Sequence, residues 1–162
     1  MNGVDLLILN FEEVRRRSIK IWNAIPTERL RWKPDSNALS FIEMIEHVLA
    51  AEYFYLQIIQ NRGSIPDPIR PYKDMDFSNV KELLAFSEPY REQFIVYIRS
   101  LTAEELFEIK IDRTDLYQLG HTGYVRSLGD MLLRYGYHEA VHAGQILDYM
   151  RTINIPRPDI WD

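Results

Sequence analysis

The spacing of apolar and polar positions along the chain predicts helices and very little strand. Apolar residues recur at mostly helical spacing over residues 4–24, with acidic and basic residues between them, and Pro26 ends this first helix. Ser40 and Glu43 match a capping box, in which each side chain bonds the backbone N–H of the other residue. A second helix therefore starts at Ser40 and extends to about residue 61, with Gly63 as its stop.

Two more helices follow by the same signals. Ser78 is a suitable N-cap for a third helix that extends to about residue 100, and Pro89 inside it should kink or break it. Ser127 opens a fourth helix, with the acidic Asp130 in its first turn, and this helix ends near Asn154.

The connections between these helices are long. Residues 64–77 contain three prolines, which exclude regular helix and central strand. Thr102 and Glu105 predict one short capped turn, and the alternating apolar residues 107, 109 and 111 predict a short extended piece. The chain is thus predicted to be all-α, a four-helix bundle formed by one domain over residues 1–162, with at least one crossover.

Composition and charge narrow the classes of function. The net charge of −5 over 162 residues gives no electrostatic basis for nucleic-acid binding. The absence of cysteine excludes disulfides and thiolate ligands, so any metal site must use histidine, carboxylate, amide or water. No apolar run approaches the roughly 18 residues that cross a bilayer, and no signal-peptide pattern is present, so we expect a cytoplasmic protein without membrane association.

Histidine spacing supplies the candidate chemistry. His138 and His142 lie four residues apart on the fourth helix, so both imidazoles leave the same face about one turn apart. His47 lies on the inward stripe of the second helix. Three imidazoles from two packed helices can converge on one ion and leave a position for water or substrate, which is the layout of a catalytic metal site. A hydrogen-bonded core histidine is the alternative for each residue.

Other metal sites fit the sequence less well. Residues 138–142 match the zincin pattern H-E-x-x-H, but no histidine or glutamate follows to complete that site. The di-iron pattern E-x-x-H occurs once, at Glu139 and His142, whereas a di-iron bundle needs it twice. Glu139 points about 100° away from its neighbour His138 around the helix. We predict that it lies at the surface or contacts a metal-binding residue without itself binding the ion. His121 lies in a glycine-rich loop and is not predicted to be a ligand.

Three segments together resemble the DinB-like family, also called the DinB/YfiT-like metalloenzymes. They are residues 25–34, which begin Ile-Pro, residues 40–47, which end in His47, and residues 138–146, which contain H-E-A-V-H-A-G-Q-I. The resemblance implies that His47, His138 and His142 are the ligands of a divalent zinc, nickel or iron ion. It also implies a homodimer, and Gly144 fits the close approach of another helix.

The metal site and the resemblance together leave three hypotheses for the function. The leading hypothesis is a metal-dependent transferase that moves a low-molecular-weight thiol, of the bacillithiol type, to an electrophilic small molecule. The alternatives are a hydrolase that uses a metal-activated water and a non-catalytic metal-binding stress protein. Tyr135 and Gln145, each about one turn from a ligand, are the candidates for substrate contact or proton handling. Trp32, Tyr53 and the proline-rich loop are predicted to wall the pocket, with core packing as the equal alternative for the two aromatic residues.

Overall fold

A computed structural model describes residues 2–161 and confirms the four-helix bundle. The long helices are α1 (Gly3–Asn23), α2 (Phe41–Asn61), α3 (Val80–Arg99) and, after a single-turn helix α4 (Glu105–Glu108), α5 (Leu128–Thr152). Strands β1 (Lys110–Asp112) and β2 (Val125–Ser127) form an antiparallel pair, and 3-10 turns occupy Thr27–Arg29 and Thr114–Leu119. Within the described residues, no helix is both long enough and apolar enough to cross a membrane.

Side-chain caps fix where the helices begin. The predicted capping box at α2 is present, with 2.7 Å from the Ser40 nitrogen to Glu43 Oε2. Ser127 caps α5 as predicted. The N-cap of α3 is Asn79 and not Ser78, because the Asn79 side chain reaches the first-turn N–H of Glu82 while Ser78 bonds the Glu82 carboxylate. A second capping box, at the start of α1, was not predicted.

The predicted break of α3 at Pro89 is wrong, and so is the assignment of Gly63 as the residue that ends α2. Helix α3 continues through Pro89 as one element. Proline has no backbone N–H, so Pro89 leaves the carbonyl oxygen of Ala85, four residues earlier, without its helical donor. Both residues are exposed, and water can donate to that carbonyl instead. The left-handed residue that ends α2 is Arg62, not Gly63. Gly63 is needed for another reason, since a Cβ there would lie 2.8 Å from the carbonyl oxygen of Asp112.

The connectivity is not that of a simple up-and-down bundle. Helix α1 packs against α3 and α5, and α2 packs against the same two helices, so α1 and α2 occupy opposite corners. The first and third connections, residues 24–40 and 100–127, therefore cross the bundle ends, and only the second joins neighbours. The predicted crossover is confirmed for the third connection. The second connection is also long but joins neighbouring helices, and the first connection crosses instead.

The apolar core forms two clusters along the bundle axis. One contains Ile21, Trp22, Phe41, Ile45 and Ile146, and the other contains Phe11, Leu56, Phe94, Met131 and Tyr135. Between them, the buried side chains include charged groups. The candidate site lies beside this polar middle layer.

Candidate metal centre

The structure brings His47, His138 and His142 together in the groove between α2 and α5. The Nε2 atom of His138 lies 3.1 Å from Nε2 of His47 and 3.2 Å from Nε2 of His142. The three ligand atoms all lie within 4.8 Å of one another. In a tetrahedral site with zinc–nitrogen distances of about 2.0–2.1 Å, the ligand nitrogens lie roughly 3.3 Å from one another. The spacing of the three histidine nitrogens therefore suits the binding of one ion.

The hydrogen bond of Gln145 determines which nitrogen of His142 is free. His142 Nδ1 lies 2.7 Å from Gln145 Oε1. A carbonyl oxygen only accepts, so Nδ1 carries the proton and Nε2 presents a lone pair to the cluster. A bond of this kind orients metal-binding histidines in general. The role predicted for Gln145 is substrate contact or proton handling, and the structure places its side chain against a histidine of the cluster.

Burial, together with the neighbouring imidazoles, keeps His138 and His47 neutral. Burial, followed by the charges of His142 and His47, lowers the pKa of His138 to about 4. Burial and then His142 lower the pKa of His47 as well. Neutral imidazoles have a lone pair available at neutral pH, which ligation requires. Nδ1 of His138 is buried and has no hydrogen-bond partner among the described residues.

A pocket of about 420 Å³ opens beside His47, the most exposed of the three histidines. It is lined by Glu46, His47, Ala50, Ala51, Phe54, Ile69, Arg70, Pro71, Tyr72 and Lys73. The proline-rich loop thus forms one wall, as predicted. Trp32 and Tyr53 do not line this pocket, because Trp32 packs on Phe41 and Tyr53 packs on Tyr90.

A buried ion network lies behind the cluster and was not predicted from the sequence. Each long helix contributes one charged residue: Arg15 from α1, Glu52 from α2, Arg91 from α3 and Glu139 from α5. Arg15 binds Glu139 through two bonds, of 2.9 and 3.0 Å, and Glu52 through a third of 3.2 Å. Arg91 contacts the same oxygen of Glu52 and donates to the Phe11 carbonyl at 2.9 Å.

This network connects the two helices that carry the histidines. Glu52 lies five residues after His47 on α2, and Glu139 directly follows His138 on α5. Burial alone would raise the pKa of Glu139, but the Arg15 charge and hydrogen bond outweigh it and lower that pKa. Glu139 is 2% exposed, so the prediction of a surface position is wrong. The 100° offset was correct, but it points the carboxylate into the bundle toward Arg15.

Tyr135 belongs to the same buried layer. It is fully buried, and its hydroxyl lies 3.4 Å from both the Val48 carbonyl oxygen and Glu139 Oε2. Burial and the neighbouring carboxylates raise its pKa well above the usual value, so the phenol keeps its proton. Its ring centroid is 6.3 Å from that of His138. Tyr135 therefore supports the histidine helix from inside and does not face the pocket.

Two other residues lie apart from the cluster. His121 is exposed in the third connection and does not join the three histidines. A Cβ at Gly144 would meet nothing within 4 Å among the described residues. The predicted close approach of another helix to Gly144 is therefore wrong for packing within this chain.

Comparison with known proteins identifies relatives across most of the chain. The sequence model of the DinB superfamily matches residues 10–146. An uncharacterized protein of Bacillus subtilis strain 168, YjoA, is 21% identical over 147 residues, which cover 91% of this chain and 88% of YjoA.

Two solved structures have the same fold. The DinB-like protein YjoA from Bacillus subtilis superposes with a TM-score of 0.68 at 18% identity and covers 96% of both chains. YfiT from Bacillus subtilis, described as a probable metal-dependent hydrolase with an unusual four-helix bundle topology, gives a TM-score of 0.69 at 16% identity. That match covers 94% of this chain and 89% of YfiT.

Removing Arg15 should strongly destabilise the bundle. We expect Arg15→Met to lower the free energy of unfolding by about 3–5 kcal/mol, because two buried carboxylates lose their shared partner. The neighbouring Arg16 forms an exposed pair with Glu13, so Arg16→Met should cost no more than about 1 kcal/mol. Denaturant unfolding followed by circular dichroism measures both values.

A double variant separates lost charge pairing from lost packing. Arg15→Met combined with Glu139→Met leaves Glu52 paired with Arg91 and removes both other charges, so it should be more stable than Arg15→Met alone. Equal losses in Arg15→Met and Arg16→Met would refute the stabilising role of the network.

Proposed function

This chain belongs to the DinB superfamily, and we propose that it is a metal-dependent enzyme acting on a small molecule. In this proposal His47, His138 and His142 hold one divalent ion through their Nε2 atoms. The observation that carries it is the convergence of three imidazoles, from two helices, at the mouth of a pocket. Three imidazoles suit zinc, nickel, iron or copper, so the donor set leaves the identity of the metal to experiment.

A divalent ion in such a site supplies Lewis acidity, which makes a water or a thiol nucleophilic at neutral pH. The chain's own residues do the rest. Gln145 holds the His142 ring in the ligating tautomer. Glu46, the carboxylate among the pocket-lining residues and the neighbour of His47 in sequence, is our candidate to accept a proton from the nucleophile. The apolar side chains Ala50, Ala51 and Phe54 exclude water from one side of the substrate.

Hydrolysis is the reaction that we favour, because YfiT, which has this fold, is described as a probable metal-dependent hydrolase. Transfer of a low-molecular-weight thiol is the second candidate. It needs space for a thiol and an electrophile near the histidines, and the 420 Å³ pocket with its mostly apolar lining provides such space. The homodimer, the cytoplasmic location and the role in stress response stay predictions.

Replacing one histidine should abolish metal binding. We expect wild-type protein dialysed against zinc to retain about one ion per chain, and His47→Ala to bind zinc more than about 100-fold more weakly, because two imidazoles remain. His121→Ala is the matched control and should retain the ion, since His121 lies outside the cluster. Elemental analysis after dialysis gives the stoichiometry. Full occupancy of His47→Ala would exclude the three-histidine site.

The Gln145 bond should tune the affinity for metal without being a ligand. Gln145→Ala should weaken zinc binding by about 10–100-fold while keeping the stoichiometry, because His142 loses the acceptor that fixes its tautomer. Gln145→Glu retains an acceptor and should bind zinc at least as tightly as the wild type. Competition with a chromogenic chelator measures both affinities. An unchanged affinity in Gln145→Ala would show that the bond does not orient His142.

Activity assays distinguish the two reactions. Metal-loaded protein should hydrolyse small activated esters, and chelation should reduce the rate by at least about 100-fold, because the nucleophile depends on the ion. The same sample, supplied with small thiols and an electrophile such as 1-chloro-2,4-dinitrobenzene, tests thiol transfer. Metal-dependent conjugation without ester hydrolysis would favour the transferase. Absence of both, together with a large fall in melting temperature on chelation, would favour a non-catalytic metal-binding protein.

A further inference from the structure

Two pockets border the proline-rich loop of residues 64–77, and Arg70 lies in the lining of both. The first pocket contains His47, and the second, of about 580 Å³, contains Arg113. We propose that the substrate carries an anionic group, a carboxylate or a phosphate, on a small apolar body, and that Arg70 binds that group while the reacting atom lies at the histidines. This inference rests on the proposed function, because it assigns a substrate class to the same site.

The backbone at Arg70 is fixed by its two flanking residues, while the Arg70 side chain is exposed. On one side of it, the Gln57 side chain of α2 forms two hydrogen bonds with the backbone of Ile69, of 2.8 and 2.9 Å. On the other side, Tyr72 is buried and packs against Phe86. The loop is therefore fixed to α2 and α3 at both flanks of Arg70, which lowers the entropic cost of presenting its guanidinium to a ligand.

The basic groups of this wall have no acidic partner among residues 2–161. The side chains of Arg70 and Lys73 form no hydrogen bond or ion pair with any described residue, whereas Arg31 binds Asp76 of the same loop at 2.6 Å. An unpaired guanidinium at a pocket wall offers a planar pair of donors that matches a carboxylate or phosphate. Arg70 and Lys73 are thus both available to bind an anion.

The charges on the two sides of the pocket give the substrate a direction. Glu46 lies beside His47 on α2 and repels an anion from that side, while Arg70 and Lys73 lie on the loop. Ala50 and Phe54 line the pocket with apolar surface. A substrate with an anionic end, an apolar middle and an uncharged reacting group satisfies each of these surfaces. The volume of about 420 Å³ lies toward the lower end of small-molecule sites, so that substrate is small.

Calorimetric titration of the zinc-loaded protein tests this inference without any need for turnover. The probes are 3-phenylpropanoate, 3-phenylpropyl phosphate and the neutral 3-phenylpropan-1-ol, which share a phenyl ring on a short alkyl chain and differ in charge. We expect the anions to bind at least about 10-fold more tightly than the alcohol, and the stronger anion identifies carboxylate or phosphate as the preferred group.

Variants assign the preference to Arg70. Arg70→Ala should weaken anion binding by about 10-fold or more and leave the alcohol unchanged, and Arg70→Lys should retain part of the preference. Arg157→Ala removes an exposed arginine that lines neither of these pockets and should change nothing. Direct binding of the anion to zinc contributes equally to wild type and variants, so the difference between them isolates the guanidinium.

The outcomes separate this inference from the proposed function. Equal anion affinity in wild type and Arg70→Ala, or no preference for anions in the wild type, overturns the assignment even if ester hydrolysis is present. An anion preference that depends on Arg70, in a protein that shows no metal-dependent turnover, supports the binding assignment and refutes the proposed reaction.

Discussion

The pairing of Arg15 with carboxylates from two different helices is the constraint on which the rest of the structure depends. Ionised groups buried at the middle of a bundle are tolerated only when their partners are in place. Arg15 on α1 needs Glu52 on α2 and Glu139 on α5 at once, and Arg91 on α3 completes the set. Rotation or sliding of any of the four helices would leave a buried charge unpaired. Hydrophobic packing above and below this layer supplies stability without such directionality.

The histidine cluster inherits its geometry from this layer. His47 and His138 lie on the same two helices as Glu52 and Glu139, close to them in sequence, so the network that fixes α2 against α5 also fixes the separation of the imidazoles. Two arginines and two glutamates leave the layer without net charge. Burial and the neighbouring imidazoles of His142 and His47 lower the pKa of His138 against the opposing charge of Glu139, so this ring stays neutral and keeps a lone pair for a ligand.

Much of the fold could be predicted from the sequence, because helix caps and apolar periodicity are local signals. Ser40 with Glu43, and Ser127 with Asp130, stand at the helix starts that they predict. The three histidines were identified for the same reason, since their spacing and their inward stripes are visible along the chain. The network was not predicted, because a charged residue at a single inward position of an amphipathic helix looks like a solvated one. Only the occurrence of such charges at inward positions of all four helices, with balanced signs, would have indicated it.

The pocket wall formed by the proline-rich loop could not be predicted from local sequence signals, for a different reason. A proline-rich segment is predicted to be irregular, but its path depends on contacts with distant residues, here Gln57 on α2 and Phe86 on α3. The chain thus divides its tasks between two kinds of structure. The helices fix the network and the histidines, and the loop presents Arg70 and Lys73 to the pocket. Because loops accept changes that a packed core does not, the nature of the substrate can change in residues 69–73 while the histidine site stays intact.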